Sequence, residues 1–303
     1  MMPDARHIAV SGASGLVGRA VRGELEASDY RIIPLVRDPR RAKTGASVLW
    51  SEERGVFEPT RLEGVKAVVH LAGENIANAR WTEKQKAKIR NSRVAGTRAL
   101  CASLAGLKEK PEVLICASAV GVYGHGARPI DETAPAGNDF LATVCREWEE
   151  ATVEAAAAGI RVVNLRIGVV VSPEGGALGK MLRPFKLGVG GPIGSGAQWM
   201  SWIHVDDVAG AVRHCIEDDA YRGPVNATAP IPVTNREFAK TLGKVLRRPA
   251  IMPMPEFVVR MMFGEMGDAI LIGGQRVLPA RLEAEGYPFE HRDLEGALRS
   301  FKL

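Results

Sequence analysis

Cysteine is scarce in this chain of 303 residues: there are four, Cys101, Cys116, Cys145 and Cys215. None has a CxxC spacing or belongs to a Cys/His ligand cluster. This argues against a disulfide framework and against a zinc or other metal site, and it fits a reduced, cytoplasmic setting. Long apolar runs are also missing. Residues 160–171 come nearest, but Arg161 and Arg166 interrupt them, so no membrane span is expected. The N-terminus enters an apolar strand pattern within a few residues, which leaves no room for a signal peptide. The 40 basic residues outnumber the 35 acidic ones, yet they are scattered, without the aromatic interleaving or basic stripe of a nucleic-acid binder. An anionic cofactor and a small-molecule substrate account for the excess better. The charged fraction of 25% and the hydrophobic fraction of 46% are those of a globular protein, and no repeat or disordered tract stands out. A chain of this length buries about three quarters of its unfolded surface, enough for one large α/β domain with an appended lobe.

What is present is concentrated in residues 7–21, HIAVSGASGLVGRAV. The apolar run 8–10 reads as a buried parallel strand, and Gly12, Gly15 and Gly18 follow with GxxGxxG spacing. Gly12 allows the sharp turn off the strand, Gly15 admits a pyrophosphate close to the backbone, and Gly18 lets the helix press on the sheet. Ser14, Gly15, Leu16 and Val17 then stand where helix-start amides face phosphates. A tight turn beside a close helix contact would need the same three glycines. Their position after a strand and before an amphipathic run favours a dinucleotide. The next strand, residues 31–36, runs into Arg37. An acidic residue here would suit a ribose diol and an arginine suits a 2′-phosphate, so NADP(H) is favoured, while Asp38 keeps NAD(H) open. Arg40 and Arg41 either add charge or begin a solvated helix.

Strands and helices alternate to about residue 172, the pattern of a doubly wound parallel sheet. Further strands are expected at 67–71, 113–117 and 161–165. Helices are expected at 82–104, 140–157, 205–216 and 235–246, the last opening on a capping box of Thr234 and Glu237. This gives an α/β, Rossmann-type NADP-binding domain over residues 1–172, with sheet elements returning near 199–230. Residues 173–303 are mainly a substrate-binding lobe. In such a sheet the carboxyl ends of the strands border the ligand crevice. That places Leu71, Ala72 and Gly73, then Ala117, then Arg166, Ile167 and Gly168 as cofactor contacts, with Ser118 beside Ala117 at the site.

The ordered set SGASGLVG, HLAGE, VAGT, ASAVGVYG, LRIGVV and SWIHVDDVA resembles the extended short-chain dehydrogenase/reductases of the NAD(P)-dependent epimerase/dehydratase type. ENIANARWTEKQKAKIRNSRVAGT, DFLATVCREWE and the tail segments GPVNATAPIPVTNREFA and RVLPARLEAEGYPF are similar to a narrower subgroup, the epimerase family proteins. The resemblance spans nearly the whole chain. It implies a Rossmann-type domain with a small C-terminal lobe, NADP(H) as ligand, and oxidoreductase or epimerase activity on a carbonyl, hydroxyl or nucleotide-sugar substrate.

The sequence departs from that pattern where the chemistry should be. Typical members carry a YxxxK pair, with tyrosine as acid/base and lysine holding the ribose. Aligning the helix on Glu149 puts Leu141 and Cys145 in those places, and neither supplies the same chemistry. Tyr123, Ser118 and Glu74 are the candidates for the missing acid/base role, each with a structural alternative: packing the crevice floor for Tyr123, capping the next segment for Glu74. Arg80, Trp81, Gln198, Trp199 and Trp202 are candidate substrate contacts, of which Trp199 or Trp202 can equally be core. His204 reads as a packed structural histidine, and Cys145 as a buried, inert thiol. Without the pair, a non-catalytic NADP(H)-binding or sensing protein is the alternative to an enzyme. A homo-oligomer is left open and nothing indicates one.

Overall fold

The computed structural model describes residues 6–41 and 47–303, with the side chain of Arg41 outside the described set. Along the chain the strands are β1 (His7–Ser11), β2 (Arg31–Val36), β3 (Val48–Ser51), β4 (Gly55–Val56), β5 (Ala67–His70), β6 (Val113–Ala119), β7 (Gly126–Ile130), β8 (Arg161–Ile167), β9 (Val169–Val171), β10 (Trp199–Met200), β11 (Trp202–His204), β12 (Gly223–Ala227), β13 (Val233–Thr234) and β14 (Gln275–Val277). The main sheet runs β12-β8-β6-β5-β1-β2-β3-β4. Every neighbouring pair in it is parallel except β3 with β4. The chain leaves β1 for β2 on one side and returns to β5 on the other. This reversal opens a crevice at the carboxyl ends of β1, β2 and β5.

The principal helices are α1 (Leu16–Ala27), α2 (Glu83–Ala105), α3 (Phe140–Glu150), α4 (Val153–Ala157), α5 (Gly176–Lys186), α6 (Val205–Glu217), α7 (Asn235–Leu246) and α8 (Glu256–Phe263). β1 shows why both faces of the sheet are covered. Ile8 and Val10 enter a core shared with Val21 and Leu25 of α1 and Val208 and Val212 of α6, while Ala9 enters the opposite core with Leu100 and Leu104 of α2 and Trp148 of α3. Alternate side chains of a strand point to opposite faces, so a strand buried on both reads as continuously apolar. A third cluster of Leu178, Phe185, Phe238, Leu242 and Leu298 builds the lobe.

Two features refine the sequence reading. The helix expected over 140–157 divides into α3 and α4, with Thr152 Oγ1 donating back to the Glu149 carbonyl (2.6 Å) at the break. The capping box of α7 forms as its residues require: Thr234 Oγ1 accepts from the Glu237 amide (3.2 Å) and Glu237 Oε2 accepts from the Thr234 amide (2.7 Å). Beyond residue 172, β12 joins the main sheet beside β8 and α6 packs on α1. The short strands β9 and β11 pair parallel to each other and lead the chain from β8 into the lobe.

Candidate active site

A cavity of about 850 Å³ lies at the carboxyl ends of β1, β2 and β5. Gly12 has a φ of +70°, and a Cβ there would lie 2.9 Å from the Leu71 carbonyl carbon, so a side chain is refused twice over. A Cβ on Gly18 would lie 2.1 Å from the Gly12 carbonyl oxygen, the signature of a helix pressed onto its turn. Gly15 is different. Its Cβ would meet only the Gly12 oxygen at 3.3 Å, and Gly15 lines the cavity beside Ser14 at the start of α1. The space a side chain would fill is the room a pyrophosphate needs, with helix-start amides beside it.

Leu71, Ala72 and Gly73 line the same cavity from the end of β5. Ser11 holds them in place: its Oγ accepts from the Leu71 amide (3.1 Å) and the Ala72 amide (3.3 Å). Having accepted two amides, it gives its own proton to His70 Nδ1, 2.7 Å away. His70 is therefore the Nε2–H tautomer, fully buried, and burial pulls its pKa down to about 4.

Arg37 lines the cavity as expected, with Nη1 held 2.8 Å from Glu52 Oε1. Two further guanidinium groups were not anticipated. Arg19 and Arg22 project from α1 into the same rim, Arg19 bonded to Glu174 (3.0 Å) and Arg22 to Glu26 (2.7 Å). Their spacing of three on the helix that begins after Gly15 was the available signal. Leu16 and Val17, expected at the cofactor, do not line the cavity. Leu16 lies beside Gly175 and Gly176, and Val17 packs on the α1/α6 core.

A second cavity, of about 420 Å³, opens at the carboxyl ends of β6 and β8 and is closed by lobe residues. Ser118, Gln198 and Trp199 line it, while Ala117, Ile167 and Gly168, expected at the cofactor, line this second cavity and not the first. Leu141 and Cys145 also line it, one helical turn apart on α3, so the residues standing in for the tyrosine and lysine do face the site. Burial pushes the Cys145 thiol up to about 12, with nearby Arg93 acting in the opposite sense. It is an inert thiol at neutral pH.

Behind the cavity wall runs a polar chain of hydrogen bonds. Ser118 Oγ donates to Glu149 Oε1 (2.7 Å), and Arg166 donates through Nε and Nη2 to both Glu149 oxygens (2.8 Å each). Arg166 Nη1 donates to the Tyr123 hydroxyl (2.8 Å), which donates to Asn226 Oδ1 (2.7 Å). Burial disfavours the Arg166 charge, but the Glu149 carboxylate outweighs it and raises the Arg166 pKa. Tyr123 and Arg166 are thus consumed within the wall, and neither lines either of these two cavities. Burial raises the Tyr123 pKa, although Arg166 counters it.

Other expected contacts also fall elsewhere. Glu74 accepts from Gln85 Nε2 (3.3 Å) and is not a lining residue. Arg80 is exposed and bonds the Met261 carbonyl. Trp81 meets Phe140 edge-on and donates Nε1 to the Ile76 carbonyl (2.8 Å). Trp202 is fully buried in the lobe core, its Nε1 given to the Ile231 carbonyl (2.9 Å). His204 is packed between His291 and Phe301, with Nδ1 accepting from the Asp206 amide and Nε2 beside Ser300 Oγ. Sequence reasoning missed Arg93 as a site residue and gave Glu149 no role beyond anchoring an alignment.

A model of the NAD dependent epimerase/dehydratase family matches residues 8–226, and a domain of unknown function, DUF1731, matches residues 254–301. Epimerase family protein Mb2239 of Mycobacterium bovis is 42% identical over 292 residues, 96% of each chain. Epimerase family protein YfhF of Bacillus subtilis is 38% identical over 296 residues, again 96% of each. Among solved structures, human epimerase family protein SDR39U1 (isoform 2) with NADPH superposes with a TM-score of 0.89 at 34% identity, covering 97% of this chain and 98% of that one. No helix among the described residues is long and apolar enough to cross a membrane.

Proposed function

Because the chain belongs to the NAD-dependent epimerase/dehydratase family, we propose that it is an NADP(H)-dependent oxidoreductase or epimerase acting on a small carbonyl or hydroxyl compound. The cofactor fits the residues present: the Gly15 cradle takes the pyrophosphate, and Arg37, Arg19 and Arg22 supply cations for a 2′-phosphate. The human relative was crystallised with NADPH. When bound, the nicotinamide supplies or accepts the hydride. The second cavity is small and mostly apolar, which favours a compact substrate over a nucleotide sugar. All four cysteines are free and buried, in keeping with a reducing, cytoplasmic setting.

The observation that carries the reading is the Ser118–Glu149 pair at 2.7 Å, with Ser118 in the cavity wall. Since Ser118 gives its proton to Glu149, it offers lone pairs to the cavity and accepts from a substrate hydroxyl. As that hydroxyl becomes a carbonyl, its proton passes to Ser118 Oγ and the serine proton passes to Glu149. Arg166 fixes both Glu149 oxygens so that the path keeps its geometry. In reduction the same protons travel in reverse. The test is an NADPH-oxidation screen over aldehydes, ketones and nucleotide sugars. With a substrate found, Ser118→Ala is expected to lower kcat by about 10² to 10⁴, the worth of acid/base assistance, while NADPH affinity stays unchanged. Unaltered turnover in Ser118→Ala defeats the proton route. NADPH binding with no turnover on any compound favours a sensing protein, the reading that Leu141 and Cys145 in the cavity wall support.

A further inference from the structure

Mostly apolar side chains and a few neutral polar groups line the second cavity, so a charge there stands out. Arg93 is the one ionisable cation among the lining residues, projecting from α2 in the segment NSRVAGT. Its guanidinium lies over the Trp148 ring, 5.0 Å from the centroid, and reaches to 3.4 Å from where a Gly73 Cβ would be. It therefore sits at the junction of the two cavities.

Its bonding is incomplete. Nη1 donates to the Glu74 carbonyl (2.9 Å) and the Ile89 carbonyl (3.2 Å), and these are its hydrogen bonds among the described residues. Nε and Nη2 are left over. No carboxylate forms an ion pair with it among the described residues: Glu74 is near enough to favour its charge, but the Glu74 carboxylate is engaged by Gln85. Burial disfavours the charge on Arg93, and the residue remains charged nonetheless because a guanidinium does not deprotonate in proteins. A half-buried cation at the edge of an apolar cavity, without a carboxylate partner among the described residues, is poised to take an anion from a ligand.

We propose that Arg93 is the receptor for a carboxylate on the substrate, which is a small apolar carbonyl or hydroxy acid. This rests on the oxidoreductase reading above and deepens it. Nε and Nη2 form one edge of the planar fork and match the two oxygens of a carboxylate side by side. The apolar walls take the rest of the molecule. Anchoring the acid at the cavity junction leaves the oxygen-bearing carbon to reach towards Ser118 at the carboxyl end of β6.

The test uses the full chain with saturating NADP⁺ and follows tryptophan fluorescence, since Trp148 stacks on the receptor. The probes are benzoate, its neutral isostere benzamide, and phenyl phosphate. Benzoate is expected to give a saturable change and to bind at least about tenfold more tightly than benzamide, the scale of charge-assisted hydrogen bonding. Arg93→Met is expected to abolish that preference and Arg93→Lys to keep part of it, both with unaltered NADPH titrations. Equal binding of benzoate and benzamide to the unmodified protein overturns the proposal, and needs no variant to fold. A benzoate preference that survives in Arg93→Met also overturns it, as does loss of NADPH affinity in that variant, which would assign Arg93 to the cofactor. Tighter binding of phenyl phosphate than of benzoate overturns the carboxylate assignment. If the unmodified protein fails to bind NADPH, the oxidoreductase reading falls alone, because the benzoate and benzamide titrations can be run without cofactor.

Discussion

The two cavities share one edge of the sheet and are built in opposite ways. The first draws on residues 12–38, Trp50 and residues 71–73, and is shaped largely by backbone: the glycine turn at Gly12 and Gly15, a helix start and a strand end. The second collects side chains from α2, the end of β6, α3, the end of β8, α5 and the lobe up to Gln275. A ligand of fixed shape, such as a dinucleotide, is met by backbone geometry that a short motif encodes. A variable ligand is met by side chains brought from distant segments, and the walls can change without disturbing the sheet. The difference separates binding that any member of the fold performs from the chemistry particular to this chain.

The sharpest break in that comparison comes from two neighbouring glycines. Gly15→Val fills the cradle while touching only one carbonyl oxygen, so it is expected to leave the circular dichroism and melting curve nearly unchanged. Displacing two charge-assisted phosphate contacts of about 1.5 to 3 kcal/mol each weakens NADPH by two or more orders of magnitude. Gly18→Val drives carbon into the Gly12 oxygen from 2.1 Å, and the expected loss is of folding, about 3 kcal/mol or more. Urea titrations alongside NADPH titrations of both variants check this. Normal NADPH affinity in Gly15→Val would reduce the glycine turn to a structural device.

The first cavity was legible for the reason it is robust. Gly12, Gly15, Arg37 and residues 71–73 follow from the strand-turn-helix pattern and from where parallel strands end, both local properties. Ser118, Ile167 and Gly168 were legible by the same strand-end rule. Tyr123 and Arg166 satisfied that rule and still turned into the wall, because the alternation of side chains at a strand end and the pull of a buried partner are settled by tertiary packing: Arg166 found Glu149, seventeen residues earlier in sequence. Trp202 was lost to the lobe core, where a large apolar ring gains more from burial than from lining a cavity. Arg93 was invisible because, on a helix dense with lysine and arginine, nothing local says which cation faces inward.

Acid separates the two regions next. His70, beneath the first cavity, is neutral with a pKa near 4, whereas an unfolded histidine titrates near 6.5. A base whose folded pKa is depressed stabilises the fold fully above about pH 6.5, and that stability is lost as the pH falls towards 4. The linked loss at pH 4 is at most about 3 kcal/mol. His204 in the lobe, with a pKa near 3, acts in the same direction. His70→Asn keeps an acceptor for Ser11 without the titration, so its melting temperature should fall less steeply between pH 6.5 and 4 than that of the unmodified chain. Parallel slopes would remove His70 from the account. Arg93 cannot titrate in this range, so acid is expected to weaken the support of the cofactor cavity while the proposed anion receptor keeps its charge.

The smallest effect concerns which cofactor the first cavity prefers. Arg37 is 58% exposed and already paired with Glu52, so a 2′-phosphate must compete with a carboxylate and with solvent screening. Arg37→Ala should therefore narrow the preference for NADPH over NADH by only about 1 kcal/mol, roughly fivefold in relative affinity. Glu52→Gln should widen it by releasing the guanidinium. The opposite signs matter more than the sizes, because a general loss of affinity in a damaged protein would move both variants the same way. Separate NADPH and NADH titrations at low and high salt decide the point, with both changes expected to shrink as salt rises. Equal affinities for the two cofactors in the unmodified chain would end the assignment of Arg37 to the 2′-phosphate. They would leave the Gly15 cradle untouched, since a pyrophosphate is common to both.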